Sequence, residues 1–382
     1  MFMKKLSYLF IAFVFWNCST EIKKIEIETV GSLEIPLAQT ISPSRMRFQY
    51  FESDTGEYLA FMNKVSSSIE IYDLNSRKSV KSIQLQSEGP NGVGVHNGFH
   101  ILSKDSLLLA SIPPKVLLLD FEGNKLGTFP VEDKDNKVNY LASNNKIPFL
   151  FSGNEIFGTQ PFFDDFFYMK AEKIPSYKHI YKFQLSSATP EVEWLPVSHP
   201  SDIWNDGKKT EDFSWTDRQD SIIVSPSTDH RLWIISKKQG ELLAYKNVKS
   251  AFVNKFQIIN KLPEGEKGII DNLASDQYGI IQYDPYRDVF YRFFSPGVDW
   301  EDYNIGHRDL FSYRPKTGIT VLDKNLDVIG EYVFEDFYIE PSNYFVGKKG
   351  LYISTNHPLS EGFDENFMKY DIIQFVKPGH QN

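Results

Sequence analysis

The sequence contains one cysteine, Cys18, among 382 residues, so no disulfide can form within the chain. A protein of this length must then draw its stability from a large buried core. Long apolar runs are also missing. The run at residues 6–16 has eleven residues, whereas a membrane-spanning helix needs roughly twenty. A transmembrane span is therefore not predicted.

An excess of positive charge is likewise absent. Lys and Arg number 41 against 50 Asp and Glu, which gives a formal net charge of −9. This acidic balance lacks the basic surface of a nucleic-acid-binding protein, so no nucleic-acid partner is expected. The sequence also has no G-x-S-x-G elbow and no Walker or Rossmann glycine pattern, and no cofactor is predicted.

Aromatic and apolar residues are abundant. Apolar types make up 41% of the sequence and aromatic types 15%, with 31 Phe and 20 Tyr. Flat rings are well accommodated on half-buried strands. This composition favours a β-rich fold and excludes a largely disordered chain.

Residues 58–85 form a unit that the rest of the chain repeats. Ile69 and Ile71 alternate with polar neighbours, as do Ile83 and Leu85. A period of two is typical of a half-buried strand. The polar stretch 73–78 separates two of these runs and is typical of a hairpin turn. Strand, turn, strand, turn and strand describe one blade of an antiparallel propeller.

Similar units follow at irregular spacing, with a short polar anchor residue in the turn. We predict an all-β fold, a six-bladed β-propeller with domain limits 38–376, followed by a polar tail at 377–382. Seven blades remain possible because the fifth unit is long, and two β-sandwich domains are the main rival. The units cover about 47–85, 98–131, 149–195, 213–248, 280–334 and 338–376, with anchors Asp73, Asp120, Ser186, Ser236 and Asp323.

An extra strand precedes the first complete unit. Ile25 and Ile27 alternate with polar residues, and Leu33 and Ile35 continue the pattern. In closed propellers an N-terminal strand commonly pairs with the last blade and removes the exposed edge. We therefore predict that this strand closes the ring.

The N-terminus resembles that of a bacterial lipoprotein. Lys4 and Lys5 precede the apolar run, and Cys18 follows it directly, as in a signal peptide that ends at a lipidation site. Phe15 and Asn17 depart from the usual lipobox, which has Leu and a small residue at those places. The alternative is an ordinary buried thiol in an apolar helix. We predict a signal peptide at 1–17, lipidation of Cys18, and a tether with the closing strand at 18–37.

This resemblance also implies a location. Ser19 and Thr20 follow the cysteine, and neither is the Asp that retains many lipoproteins at the inner membrane. We expect export to the cell envelope and a lipid anchor in the outer membrane. The membrane would then be one partner of the protein.

Four segments resemble the DUF4221 family of Bacteroidetes lipoproteins. They are IYDL at 71–74, GPNG at 89–92, DSLLLAS at 105–111 and YDPYRDVFYRF at 283–293. The likeness extends to six-bladed propellers of the NHL and TolB-like kinds. It implies a six-bladed propeller on the cell envelope, and it implies no activity.

The densest group of polar and aromatic residues lies at 283–292. Arg and Tyr at the tip of a blade can bind an anionic or glycan ligand through forked donors and ring contacts. Alternatively, this is a structural corner in which Arg287 bonds carbonyl groups of the turn. The candidate ligand-binding residues are Tyr283, Asp284, Tyr286, Arg287, Tyr291 and Arg292.

Two other patterns bring possible metal ligands together. His96 and His100 have the spacing of a helical metal pair, but Asn97-Gly98 disfavours a helix. Asp133, Asp135 and Asn136 resemble the start of a calcium loop whose Gly and distal Glu are missing. We expect a structural role for the two histidines, a solvated turn for the acidic stretch, and no metal site.

An aromatic insertion surrounds two adjacent acids, Asp164 and Asp165. Neighbouring carboxylates on a strand point to opposite faces, so they could not form a hydrolytic pair without a third acid. We expect the insertion to pack on the propeller or to offer an apolar contact to a partner. Its aromatic residues are Phe162, Phe163, Phe166, Phe167 and Tyr168.

Two functions follow from these observations. The first is a non-catalytic, lipid-anchored scaffold that binds a protein or a glycan. The alternative is a propeller hydrolase or lyase acting on glycans or peptides, with its residues converging on the central channel from different blades. The fold alone does not decide between these two functions.

Overall fold

The alternating segments form strands, which assemble into six four-stranded antiparallel sheets. The computed structural model describes residues 24–133, 138–161, 163, 165–185, 192–262 and 265–376. First strands of neighbouring sheets contact one another: Pro43–Ser53 contacts Glu340–Gly347 and Val95–Ile101, and Phe213–Arg218 contacts Gln277–Asp284. The prediction of a six-bladed β-propeller is confirmed.

Each blade follows the chain from the centre of the ring outward. The first half of the chain forms β1 (Glu26–Pro36) and then blade 1, with β2 (Pro43–Ser53), β3 (Gly56–Asn63), β4 (Ser68–Asp73) and β5 (Lys78–Gln84). Blade 2 contains β6 (Val95–Ile101), β7 (Ser106–Ile112), β8 (Lys115–Asp120) and β9 (Lys125–Pro130). Blade 3 contains β10 (Leu150–Ser152), β11 (Glu155–Thr159), β12 (Ile180–Gln184) and β13 (Glu193–Trp194).

The second half completes the ring in the same way. Blade 4 contains β14 (Phe213–Arg218), β15 (Ser221–Pro226), β16 (Arg231–Ser236) and β17 (Leu242–Asn247). Blade 5 contains β18 (Gln277–Asp284), β19 (Val289–Ser295), β20 (Gly318–Leu322) and β21 (Val328–Val333). Blade 6 contains β22 (Glu340–Gly347), β23 (Gly350–Ser354) and β24 (Phe367–Val376).

The N-terminal strand closes the ring, as predicted. β1 pairs with β24 in an antiparallel register that runs from Glu26 opposite Val376 to Pro36 opposite Phe367. It thereby supplies the outer strand of blade 6. Leu33 and Ile35 are buried in the apolar layer between blades 6 and 1, so the closing strand is held by packing as well as by hydrogen bonds.

Apolar layers between neighbouring blades form the core. Ile71 of blade 1 packs in one cluster with Leu107 of blade 2, and Phe293 of blade 5 packs with Tyr344 of blade 6 at a ring distance of 4.6 Å. Burying one such side chain stabilises the fold by about 2 kcal/mol. The absence of disulfides is thus offset by apolar packing around the whole ring.

The repeated anchor residues hold the outer hairpins. Asp120 Oδ1 accepts the Asn124 N–H at 2.8 Å, Asp323 Oδ1 accepts the Asn325 N–H at 2.8 Å, and Ser236 Oγ accepts the Gln239 N–H at 3.1 Å. Asp73 binds the Ser76 N–H in the same way. Ser186 lies outside the described residues. The side chains therefore satisfy turn N–H groups, which is why Asp and Ser recur there.

The two faces of the ring differ in the length of their connections. Every fully described connection between the first and second, or third and fourth, strands of a blade has two to five residues. We call this side the hairpin face. The opposite side, the loop face, carries five connections of 18 to 29 residues, at 131–149, 160–179, 195–212, 248–276 and 296–317. We call the last four the insertions.

The insertions pack together over blades 3 to 5, and we call their described residues the cap. Lys208 Nζ donates to Met169 O at 2.7 Å, and the Ile259 N–H donates to Lys208 O at 2.7 Å. Two short helices, α1 (Lys267–Leu273) and α2 (His307–Ser312), lie in the last two insertions. Within the described ranges, no helix has the length and apolar character required to cross a membrane.

Candidate ligand-binding site

A cavity of about 740 Å³ opens on the loop face between blades 6 and 1. Its walls are residues 37–45, which lead from β1 into β2, and the connection 354–368 within blade 6. The volume lies in the range of small-molecule sites. The cavity therefore has room for a ligand of two or three sugar units or for a short peptide segment.

Three blades contribute to the inner end of this cavity. Arg45 Nη2 of blade 1 lies 2.8 Å from Glu340 Oε2 of blade 6. The Arg45 guanidinium also stacks on the ring of Tyr313, a cap residue of blade 5, at 4.0 Å from the ring centroid. Its Nη1 donates to Ser312 O at 3.0 Å. These contacts fix the guanidinium while 36% of the Arg45 side chain stays exposed.

Glu340 is held on its other side as well. Its Oε1 accepts the Ser342 N–H at 3.2 Å and the Ser342 hydroxyl. The carboxylate is 7% exposed. Because both of its oxygens are bonded and one faces a guanidinium, it is suited to orient Arg45 and a ligand hydroxyl. It is poorly placed to act as a free acid or base.

Side-chain amides and an aromatic ring complete the cavity. Asn343 Oδ1 accepts the Tyr370 hydroxyl at 2.8 Å, which leaves its Nδ2 donor without a bond to any described residue. Asn356 is fixed by bonds of its Nδ2 to Asp364 O and Phe367 O, at 2.7 and 2.8 Å. Phe363 at the rim is 44% exposed. Oriented donors beside an exposed ring can bind hydroxyl groups and the apolar face of a sugar.

The predicted cluster at 283–292 lies mainly on the opposite, hairpin face. Asp284 is fully buried and accepts hydrogen bonds from Arg287 Nε at 2.5 Å and from the Tyr291 hydroxyl at 2.8 Å. Arg287 also donates to Gly347 O at 2.9 Å and Lys348 O at 3.0 Å. Arg287 therefore joins the β18–β19 hairpin to the β22–β23 hairpin of the next blade.

The other members of that cluster separate. The Tyr283 hydroxyl donates to Asp288 Oδ1 at 2.8 Å, and the Tyr286 hydroxyl donates to Glu52 across the channel mouth. Arg292 is buried between blades 4 and 5, and burial lowers the pKa of its guanidinium to about 10. Five of the six residues thus lie at the hairpin face in separate contacts, and Arg292 lies elsewhere. Ligand binding by the six stays a prediction.

The histidines at 96 and 100 lie on β6, at the centre of the ring. The His100 ring is 4.7 Å from that of Phe151. Burial and, secondarily, the charge of Arg47 lower its pKa to about 3, and burial also lowers the pKa of His96. Throughout the described part of the chain, no group of three His, Cys, Asp or Glu side chains is placed to hold a metal ion.

The remaining predicted features are only partly described. Asp133 Oδ2 accepts the Trp194 indole N–H at 2.7 Å, while Asp135 and Asn136 lie outside the described residues, as does Cys18. Asp165 Oδ1 accepts the Phe167 N–H at 2.9 Å. Phe162 and Asp164 are also outside the described set.

The aromatic insertion is part of the cap and packs within itself and against a second insertion. The rings of Phe166 and Trp204 meet edge to face at 5.8 Å, and those of Phe163 and Tyr177 stack at 5.0 Å. Tyr168 remains 83% exposed.

The residues of the cavity were not found from the sequence. Arg45 and Glu340 are 295 positions apart, and neither lies in a local motif. The sequence indicated their proximity only indirectly. Ring closure by the N-terminal strand predicts that the start of β2 lies beside the last blade.

Comparison with known proteins identifies relatives. The family model described as a domain of unknown function, DUF4221, matches residues 24–332. The crystal structure of a DUF4221 member from Bacteroides vulgatus aligns with a TM-score of 0.81 at 22% identity, covering 94% of this chain and all of that one. The search of curated proteins gives no match.

More distant structures share only part of this geometry. Hydrazine synthase of Kuenenia stuttgartiensis aligns with a TM-score of 0.41 at 10% identity, over 84% of this chain and 75% of that one. The Cps50 (Swd1) β-propeller domain from Myceliophteria thermophila gives 0.38 at 12% identity, over 90% and 98%.

Proposed function

The chain belongs to the DUF4221 family, and we propose that it is a lipid-anchored propeller of the cell envelope that binds a glycan in the cavity between blades 6 and 1. The observation that carries this proposal is the convergence of Arg45, Glu340 and Tyr313 from three blades at the inner end of that cavity. The three residues are held in place by neighbours before any ligand arrives, which lowers the entropic cost of binding.

Binding is favoured over hydrolysis by the chemistry of the cavity wall. Among the residues that line it, Glu340 and Glu365 are the carboxylates, and there is no His or Cys. Glu340 is already bonded by Arg45 and Ser342. Glycoside hydrolysis needs two carboxyl groups with different protonation states that flank one bond. A sugar chain held by amides, a guanidinium and rings fits the wall better.

A glycan array tests the ligand. We expect the purified full-length protein to bind a subset of oligosaccharides, and we expect Arg45→Gln to weaken that binding at least about tenfold through the loss of charge-assisted hydrogen bonds. Arg77→Gln, an exposed change in a hairpin of blade 1, is the matched control. Far-ultraviolet circular dichroism establishes that both variants fold. Oligosaccharide binding that Arg45→Gln leaves unchanged contradicts the site, and capture of peptides only contradicts the glycan.

The anchor is tested separately. Metabolic labelling with an alkyne fatty acid should modify the native protein and leave a Cys18→Ser variant unlabelled. The variant should also move from the membrane fraction to the soluble fraction. Equal labelling of both proteins contradicts lipidation at Cys18 and leaves the glycan proposal untouched.

A further inference from the structure

Arg47 is a cation without a counter-charge at the centre of the ring. It lies on β2, the innermost strand of blade 1. Its Nη1 donates to Asn144 O at 3.2 Å, and its Nε is buried with no partner. Arg47 forms no ion pair with any carboxylate of the described chain. Because an ionised group out of bulk water is costly unless it is paired, this side chain needs an explanation.

Two other buried arginines show how the fold normally treats this side chain. Arg292 donates to Ser225 Oγ at 2.9 Å and to four backbone carbonyl groups, those of Pro226, Asp229, His230 and Val248.

Arg314 donates to Ser275 O at 3.2 Å and to both oxygens of Asn272. A guanidinium has five N–H donors. Arg292 therefore has a bond for each, whereas Arg47 has one bond in all.

Other buried polar groups on the inner strands next to β2 are also incompletely bonded. The Tyr344 hydroxyl of blade 6 and the Nδ1 atoms of His96 and His100 of blade 2 are buried, and no hydrogen-bond partner for them occurs in the described structure. Arg47 interacts electrostatically with both Tyr344 and His100. The inner strands of blades 6 and 2, which both contact β2, thus carry unsatisfied polar groups that interact with Arg47.

Arg47, His96 and His100 each remain partly accessible, although all three lie on inner strands in the middle of the ring. A region that holds a cation and a phenolic O–H, with no acidic side chain of the described chain paired to the cation, is complementary to an anion. The planar guanidinium in particular matches an oxyanion, which can accept two parallel N–H bonds.

We propose that the central channel binds a small oxyanion, a carboxylate or a phosphate group, on the Arg47 guanidinium, with Tyr344 and His100 as additional hydrogen-bonding partners. The site is separate from the cavity between blades 6 and 1 and does not depend on the glycan. The anion would stabilise the ring by joining blades 1, 2 and 6 at their inner strands.

Thermal unfolding and calorimetric titration of the full-length protein test this site. Inorganic phosphate and acetate, each at constant ionic strength set with chloride, are the two probes. We expect one of them to raise Tm along a saturable curve, and which one does so distinguishes a phosphate site from a carboxylate site. We expect Arg47→Met to weaken that anion's binding at least about tenfold, and Arg47→Lys to retain part of it because the charge remains without the fork.

Arg218→Gln is the matched control. Arg218 also lies on an inner strand, but it is paired with Asp288 at 2.6 Å, so this variant should keep the full anion response. If Arg47→Met fails to fold, the anion response of Arg47→Lys and a selenate soak of wild-type crystals test the site instead. Selenate bound at the site gives anomalous density beside the guanidinium. An equal anion response in wild type and the Arg47 variants, or no saturable response in wild type, overturns the proposal.

Discussion

At the scale of single residues, an ion pair joins Asp284 and Arg287, two members of the cluster predicted from the sequence. Asp284 is fully buried, and its ion pair with Arg287 also ties blade 5 to two carbonyl groups of blade 6. We expect Arg287→Met to reduce the free energy of unfolding by about 3 kcal/mol, because it leaves a buried carboxylate without its partner. Urea denaturation measures this change.

A second variant separates stability from ligand binding at this corner. In the double variant Asp284→Asn, Arg287→Met no buried charge is left, and we expect it to recover part of the loss. Arg77→Gln, on an exposed side chain in blade 1, should change stability by less than about 0.5 kcal/mol. A fully stable Arg287→Met protein would contradict the structural role and favour the ligand-binding interpretation.

Buried histidines make the stability of this protein sensitive to acid. His199 is 1% exposed, and burial lowers its pKa to about 4, below the value of about 6.5 expected in the unfolded chain. The unfolded state therefore binds the proton first as the pH falls. Stability is complete above about pH 6.5 and decreases down to pH 4, by up to about 3 kcal/mol for this one group.

The His199→Phe variant tests that assignment. Its ring can keep the edge contact that His199 makes with Trp233 at 4.8 Å, and the loss of the hydrogen bond to Glu211 O is the same at every pH. We expect urea denaturation between pH 7 and 4 to give a shallower decline in stability for the variant. Parallel profiles for variant and wild type would show that His199 does not titrate in this range.

At the scale of elements, strand β1 determines whether the ring is closed. Ile35 is fully buried between blades 6 and 1. We expect Ile35→Ala to reduce the free energy of unfolding by about 3 kcal/mol through lost burial and the cavity that remains. Glu34→Ala, on the exposed side of the same strand, should have little effect. If both variants unfold at the same urea concentration, β1 contributes little to closure.

Much of the blade architecture could be predicted because its signals are local. Alternation over a few residues marks a strand, and an Asp such as Asp120 marks the turn that it caps. The cap could not be predicted, because its short helices depend on contacts between insertions far apart in the chain. The same distance hid the pairing of Arg45 with Glu340.

The cluster at 283–292 shows a different limit. Its polar and aromatic residues are dense along the chain, which suggests one site, but neighbouring residues on a strand point to opposite faces. Tyr291 accordingly reaches Asp284 at the hairpin face of blade 5, whereas Arg292 reaches carbonyl groups of blade 4. The density of polar and aromatic residues along the chain therefore predicted one group, whereas the alternation of side chains along the strand separates its members.

At the scale of the whole molecule, the two faces of the ring differ in structure. The long connections, the cap and the 740 Å³ cavity are on the loop face. The chain enters β1 from the hairpin face, because Glu26 pairs with Val376 at the far end of β24. Cys18 precedes Lys24 by six positions, and six residues span at most about 20 Å. An anchor on Cys18 would therefore hold the hairpin face near the membrane.

If Cys18 carries a lipid anchor, as proposed, this arrangement predicts the orientation of the protein on the membrane. The chain has no other cysteine, so one introduced thiol can be labelled selectively once Cys18 carries lipid. We expect a dye on Lys104→Cys, at an exposed site of the hairpin face, to transfer energy efficiently to an acceptor lipid in vesicles. A dye on Lys173→Cys, in the cap, should transfer less, because the strands alone separate the faces by about 20 Å.

The two labels distinguish the possible arrangements of an anchored propeller. Stronger transfer from Lys104→Cys places the cavity on the side away from the membrane, where a long glycan could reach it. Stronger transfer from Lys173→Cys would turn the cap towards the lipid and contradict the orientation. Equal transfer would mean that the ring lies on its side, and the cavity between blades 6 and 1 would then open along the membrane surface.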